Sequence, residues 1–345
     1  MTQLDTINGS ALPVQDNPAP GSLTGTVPER FSAIIPLFNC KDELRVCLDS
    51  VLAAARKYGN AEVIVVDNGS TDGSYEILQT SYRGVTALRC PELSIAALRN
   101  RGVEAASGEY LSFIDADCVV YPEYFEEARA TFRASDAAAT GSMCGIPEAS
   151  TWVERTWYLL NSHSRDGFVK YLNSGNFVIR RKAFTTVGGF DEMLTTGEDT
   201  ELGQRLRRNG FGIYENHRVS AIHLRNSKTL RQLFRRHAWH GQGLMIASGA
   251  SWLNKPLLMT CGHLALITLG LAQLFVPYGG WALRVSCLFL ALGCVPAVTW
   301  LFRSLTNRRW SSPLAGIAIY EFYYAAKLYA LLGFARGRRS RTYHK

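Results

Sequence analysis

No two of the eight cysteines, at positions 40, 47, 90, 118, 144, 261, 287 and 294, have the two-residue spacing of a zinc or redox pair. Their irregular placement also speaks against a disulfide scaffold and fits a reducing cytoplasm. The first strand-like run, Phe31 to Ile35, leads into Pro36-Leu37-Phe38-Asn39-Cys40 and lacks a glycine-rich turn. Without that turn a pyrophosphate cannot approach a helix N-terminus, so a nicotinamide-dependent Rossmann enzyme is a poor reading. Residues 1–30 have no basic start followed by an apolar run and are rich in Pro, Gly, Ser, Thr and Asn. They are expected to be a disordered tail, neither a signal peptide nor a packed element. Charge is missing altogether from Leu257 to Val276 and from Val285 to Phe302.

Those two uncharged stretches are each long enough to cross a hydrocarbon layer about 30 Å thick as a helix. Pro277-Tyr278-Gly279-Gly280-Trp281 between them has the turn residues and interfacial aromatics of a tight hairpin. A third apolar stretch, Leu314 to Phe334, carries Glu321 and Lys327 and many tyrosines, and reads as a third span or an interfacial helix. Arg303, Arg308 and Arg309 follow the second stretch, and Arg336, Arg338, Arg339 and Arg341 follow the third. Both clusters cannot face the cytoplasm if the third stretch crosses, so charge placement favours two spans and an interfacial helix. The division expected is a tail over 1–30, a catalytic domain over 31–250, a membrane region over 257–334 and a basic tail over 335–345. The net charge of +8 in 345 residues is then accounted for by anionic lipid, with no nucleic-acid partner.

The catalytic part alternates. Phe31–Ile35 precedes Leu44, Leu48, Val51 and Leu52 at helical spacing. Val63–Val66 precedes Tyr75–Leu78, Val85–Leu88 precedes Ile95–Ala106, and Tyr110–Ile114 precedes Tyr121–Phe132. This implies an α/β fold with a mostly parallel sheet and helices on both faces. Such sheets bind ligands beyond the carboxyl ends of their strands, where Pro36, Asn39, Asp67, Asp115 and Asp117 fall.

Asp115-Ala116-Asp117 places two carboxylates one residue apart at a strand end. Oxygen anions at that spacing suit a hard divalent cation, and such a cation suits a nucleotide diphosphate. Asp is also frequent in turns for its side-chain to backbone hydrogen bonds. Asp67-Asn68-Gly69-Ser70-Thr71-Asp72-Gly73-Ser74 reads as a turn in which Asp72 caps the next helix and Asp67 accepts hydrogen bonds from a base or ribose. Glu198 and Asp199 open a helix, where exposed amides favour carboxylates in any case.

The order Pro36-Leu37-Phe38-Asn39, Val65 to Ser74, Asp115-Ala116-Asp117 and Gly197-Glu198-Asp199-Thr200-Glu201-Leu202 resembles the family 2 glycosyltransferases, which have the GT-A fold, over about Phe31 to Gly241. Paired apolar helices after the domain are similar to membrane-attached members that build bacterial surface glycans. The resemblance implies nucleotide contacts from Pro36, Asn39 and Asp67, and a donor contact from Arg99, whose bland reading is a solvated helix face. It implies Asp115 facing the ribose or the metal and Asp117 binding Mg²⁺ or Mn²⁺. His223 maps to a third metal ligand or a diphosphate contact, and a lone His beside apolar residues is also a common structural choice. Asp199, beside Glu198, is the implied general base of an inverting displacement.

The expected donor is a nucleotide sugar. The expected acceptor is a lipid-linked saccharide or surface polysaccharide at the inner membrane, with the catalytic domain facing the cytoplasm. Direct transfer to polyprenyl phosphate and a non-catalytic assembly scaffold are the alternatives. Gln232-Leu233-Phe234-Arg235-Arg236 resembles the Gln-x-x-Arg-Trp signature of processive relatives with Arg in place of Trp, which puts processive polymerisation in doubt, with Trp239 three residues on as the alternative ring. Leucines and aromatics alternating with arginines over 230–239 form an amphipathic pattern suited either to a membrane surface or to packing as a basic helix on the domain itself.

Overall fold

The computed structural model describes residues 29–247, 255–275 and 280–335. The expected tail up to residue 28, most of the hairpin (276–279) and the basic tail from 336 lie outside the described residues. Glu29 and Arg30, assigned to the tail by sequence, are held by ion pairs to Arg129 at 2.7 Å and to Glu62 at 2.9 Å.

The amino-terminal half runs β1 (Phe31–Leu37), α1 (Lys41–Tyr58), β2 (Ala61–Asp67), α2 (Ser74–Ser81), β3 (Thr86–Arg89), α3 (Ile95–Ala105) and β4 (Tyr110–Ile114). β1 is buried along its whole length, as a central strand covered on both faces must be. Alternate residues serve opposite layers. Phe31, Ala33, Ile35 and Leu37 join the core with α1, whereas Ile34 packs with Leu111, Phe113 and Phe177 on the other face. Pro36 fits inside β1 because the pairing with β4 ends at Ile34–Phe113, so its missing amide costs no ladder bond there.

The chain continues through β5 (Cys118–Val120), α4 (Tyr124–Ala134), β6 (Ala139–Gly141), α5 (Trp152–Asn161), β7 (Gly167–Phe168), β8 (Asn176–Arg180), α6 (Arg181–Thr186), α7 (Glu198–Arg208), β9 (Ile213–Glu215) and β10 (Ala221–His223). The main sheet has the order β3-β2-β1-β4-β8-β6-β9-β7, and β10 pairs with β5 beside it. Only the β3-β2-β1-β4 half is uniformly parallel; β8 runs antiparallel to β4 and to β6. The mostly parallel expectation is corrected to a mixed sheet. The antiparallel register sets Asn176, the first residue of β8, opposite Ile114, the last of β4. The loop entering β8 is thereby delivered to the Asp115 end of β4.

Four long helices follow: α8 (Leu230–Ala247), α9 (Lys255–Ala272), α10 (Trp281–Asn307) and α11 (Pro313–Ala335). α9, extended by a short turn to Phe275, and α10 are long and apolar enough to cross a membrane. Leu269, Phe289, Leu290 and Phe302 are each more than 60% exposed along them, a surface unsuited to water. α11 packs against α8, α5 and α10, with Ile319, Tyr320 and Tyr324 buried. It joins the catalytic domain to the apolar pair.

Gln232 has a local task. Its Oε1 accepts the Lys228 and Thr229 amides, and its own amide donates to Thr229 Oγ1, which caps the start of α8. Leu233 of α8 is buried against Val153 and Ile319.

Candidate active site

The site is built where β1, β2 and β4 end. Asn39 has a left-handed backbone (φ 47°), which an Asn tolerates better than most residues. Its amide donates to Ser70 Oγ at 3.0 Å and its side-chain oxygen accepts the Thr71 amide at 2.9 Å. Asp72 accepts the Lys41 amide at the start of α1 and the Ser74 amide at the start of α2. One carboxylate therefore caps two helices, more than the single cap expected of it. Asp67 is fully buried and its oxygens accept the Gly69 and Ser70 amides, with Arg89 Nε 3.7 Å away. In this structure Asp67 shapes the turn that bounds the cleft, and Pro36 is buried within β1. Asn39 is half-buried beside them.

Arg99 is the centre of charge. It lies in α3 and is 2% exposed, so the solvated-face reading does not apply. Nη2 donates to Asp115 Oδ1 at 2.9 Å and Nη1 to Glu198 Oε1 at 2.7 Å. Burial works against its charge, and the Asp115 and Glu198 carboxylates more than offset this, holding its pKa above the usual arginine value. The pairing needs close backbone approach. A Cβ on Gly175 would stand 2.9 Å from Asp115 Oδ2, so glycine lets the loop before β8 close over that carboxylate.

Asp117 and His223 meet on the other side of Ala116. β5 and β10 pair antiparallel with Cys118 opposite His223, which brings Asp117 Oδ1 to 3.5 Å from His223 Nε2. Both residues are buried. Among the described residues, Asp117, Cys118 and His223 form the one group whose potential ligand atoms all lie within 4.8 Å of one another. Asp115 stands outside that group, its Oδ1 engaged by Arg99. Two atoms each about 2.1 Å from a shared ion can adopt the Asp117–His223 separation, so this donor set fits a divalent cation. Cys118 differs: the contact with Cys144, 3.9 Å between sulfurs, and then burial push its thiol well above the ordinary range. A neutral thiol is a weak ligand for a hard cation.

Asp199 sits in the first turn of α7, after Gly197 in a left-handed conformation (φ 83°). Its Oδ1 accepts the Thr200 amide at 2.6 Å. Burial, and then the neighbouring Glu198 carboxylate, push its pKa up to about 7. Thr196, just before it, is buried and hydrogen-bonded to His240 Nδ1 of α8 at 2.8 Å. Sequence reasoning missed this link, and missed Arg225, whose Nη1 donates to the Asn39 carbonyl at 3.1 Å and whose Nε lies 3.7 Å from Glu43. Arg225 stands two residues after His223, and that short offset from a candidate ligand was the available signal.

A mixed sheet with carboxylates at the ends of its parallel strands, and an antiparallel strand returning over them, is the GT-A form of the α/β fold. The fold matches that of the mannosyltransferase PcManGT from Pyrobaculum calidifontis, solved with GDP-Man and Mn²⁺, at a TM-score of 0.65 and 16% identity, covering 90% of this chain and 88% of that one. Residues 32–188 match the family model for glycosyl transferase family 2. The glycosyltransferase AglE of Haloferax volcanii is 29% identical over 209 residues, 58% of this chain and 68% of AglE. The succinoglycan biosynthesis protein ExoA of Rhizobium meliloti is 27% identical over 311 residues, 83% and 89% of the two chains. Residues 32–188 thus match a glycosyl transferase family 2 domain, and these relatives support a transferase enzyme.

Proposed function

We propose that the protein is an inverting, metal-dependent glycosyltransferase that moves a sugar from a nucleotide diphosphate to a hydroxyl of a lipid-linked saccharide or surface polysaccharide. The observation that carries this reading is the Arg99 bridge, which fixes Asp115 at the donor strand end relative to Glu198, the residue before the candidate base. The fold match to an enzyme solved with GDP-Man and Mn²⁺ supports a nucleotide sugar as donor and a divalent cation as cofactor.

Asn39, on the loop it shares with Ser70 and Thr71, forms the floor for the nucleotide, with Asp67 behind it. Asp115 has Oδ1 held by Arg99, and its side chain remains part-exposed at the end of β4. Asp117 and His223 would hold Mg²⁺ or Mn²⁺, which when bound supplies charge neutralisation for the departing diphosphate. Asp199 takes the proton from the acceptor hydroxyl as that oxygen attacks the anomeric carbon, and the single displacement inverts configuration. A carboxyl raised to about 7 is matched to that task near neutrality. An acceptor that is already a phosphate anion needs no such base, so this favours a hydroxyl acceptor over direct transfer to polyprenyl phosphate.

Similarity to a succinoglycan biosynthesis protein supports a glycan-assembly role. The two long apolar helices α9 and α10 support attachment to a membrane, and the basic residues Arg303, Arg308 and Arg309 at the end of α10 favour a cytoplasmic face for that end and for the catalytic domain. The test is a transfer reaction with membrane lipid extract, with the anomeric signal of the product followed by NMR. A product of anomeric configuration opposite to the donor is expected. Retained configuration would contradict the single displacement, and absence of product from every nucleotide sugar would contradict the enzymatic reading.

A further inference from the structure

The end of α10 carries a cation that the donor site does not use. Thr299 Oγ1 of α10 lies 2.7 Å from the Tyr324 hydroxyl of α11, and Trp300 Nε1 donates to Ser311 Oγ in the short connection between these helices. A connection that short makes them antiparallel neighbours, so one turn past Thr299 must face one turn before Tyr324. The residues there are Arg303 and Tyr320. The Tyr320 hydroxyl is buried, with the Arg303 guanidinium as its polar neighbour. Among the described residues no carboxylate lies within ion-pair distance of Arg303, which is itself exposed.

Of its neighbours at the same helix end, Arg308 has the left-handed backbone that ends α10 and an exposed side chain five residues further on, and the Arg309 guanidinium lies over the Tyr158 ring at 5.4 Å. Asn307 is buried and donates to the Leu160 carbonyl at 2.8 Å, which pins this end of α10 to the catalytic domain. Arg303 is thus fixed in place, charged and available.

The acceptor side of the site is close by. Gly203 lies one turn beyond Asp199 on α7, and a Cβ there would meet the Tyr171 Cβ at 2.7 Å, so Tyr171 covers that face of α7. The Tyr171 side chain is 45% exposed and within electrostatic reach of both Asp199 and Arg303. On the far side of Arg303 the surface of α10 is apolar, with Val298, Leu301, Phe302 and Leu305 all exposed. Base, tyrosine, unneutralised cation and apolar helix surface therefore follow one another in space.

Building on the glycosyltransferase reading, we propose that Arg303, with Tyr171 and Tyr320, forms a phosphate-binding subsite for the acceptor. The acceptor is a saccharide carried on a phosphate or diphosphate with an apolar chain. Its phosphate sits on the guanidinium, its chain follows α10, and its sugar hydroxyl reaches Asp199. Arg suits this task because its planar fork matches phosphate oxygens and stays charged at a membrane surface.

The experiment compares two acceptors with the full chain in nanodiscs: one saccharide on a short polyisoprenyl diphosphate, and the same saccharide on an uncharged alkyl ether. The wild type is expected to prefer the phosphate-bearing acceptor in kcat/KM by about 10- to 100-fold, the range of a hydrogen bond between charged partners. Arg303→Ala should reduce that preference to near unity, Arg303→Lys should retain part of it, and Tyr171→Phe should lower it less. The preference is a ratio within one preparation, so partial misfolding of a variant cancels. Arg309→Ala should keep the preference, in neutral and in anionic discs alike. Equal use of both acceptors by the wild type would overturn the subsite while leaving the transferase reading intact. A preference that appears only in anionic discs, or is lost equally in Arg309→Ala, would make Arg303 a headgroup anchor and overturn the proposal. No nucleoside diphosphate release with any acceptor would defeat the transferase reading itself.

Discussion

Arg99 Nη1 donates to Glu198 Oε1 at 2.7 Å in the buried interior, joining α3 to the first turn of α7. With Asp115 on its other terminal nitrogen, the guanidinium neutralises carboxylates from both halves of the sheet. Removing one partner of a buried ion pair leaves the others uncompensated, at a cost of about 3–5 kcal/mol. Arg99→Ala is expected to lower stability by that order, read in chemical denaturation, and to abolish transfer. Arg99→Lys should fail nearly as badly in transfer, because an ammonium cannot span two carboxylates with a fixed fork. A fully active lysine variant would show that charge alone, rather than geometry, is required.

The raised pKa of Asp199 gives a pH dependence with a definite sign. The base acts as the carboxylate, so kcat/KM should rise about tenfold per pH unit below about 7 and level off above it. Stability moves the other way. A carboxyl whose folded pKa lies above its unfolded value of 3.8 is disfavoured once ionised, so its contribution weakens as pH rises from about 4 through 7. Asp199→Asn should remove the acidic limb together with most of the rate and should not weaken the fold at pH 8. A limb near 4 in the wild type would assign the base elsewhere.

Asp117 and His223 make a prediction about metal that can be read without turnover. Mn²⁺ should raise the melting temperature of the wild type in the presence of a nucleoside diphosphate, and EDTA should reverse it. Asp117→Ala should lose the shift entirely, and His223→Gln should retain a smaller one, because an amide oxygen is a weaker ligand than imidazole nitrogen. An unchanged shift in Asp117→Ala would move the metal to other residues.

Gln232 tests whether a sequence signature or a cap explains that position. Gln232→Ala should cost about 1 kcal/mol of stability through loss of the α8 cap, with little change in the KM for donor. A large rise in donor KM at unchanged stability would show that Gln232 contacts the donor and is not only a cap.

Much of the fold was legible because its signals are local. Tyr110–Ile114 is an apolar run bounded by Gly108 and Asp115, and the strand has those ends. The parallel half followed from repeated alternation. The direction of β8 did not, since it depends on pairing Asn176 with Ile114 across sixty-one intervening residues and no local pattern encodes it. Arg99 was ambiguous for a similar reason. A charged residue on a helix faces solvent unless distant carboxylates await it, and Glu198 is ninety-nine residues away. Thr229 and Gln232 are the reverse case: their three-residue spacing is a capping box readable in the sequence, and the structure forms it. Pro36 and Asp67 were located at the right strand ends, but whether a side chain points to the cleft or into the turn is decided by packing that sequence spacing does not encode.

Metal-dependent sugar transfer is decided by nucleoside diphosphate release from a panel of nucleotide sugars, using the detergent-purified chain with Mn²⁺ or EDTA, for the wild type and Asp117→Ala. Release from one donor that requires the metal, and is lost in the variant, is the expected result and names the sugar. Release that is unaffected by EDTA and by Asp117→Ala would contradict the metal-dependent mechanism, and no release with any donor in the presence of membrane lipid extract would contradict the transferase account as a whole.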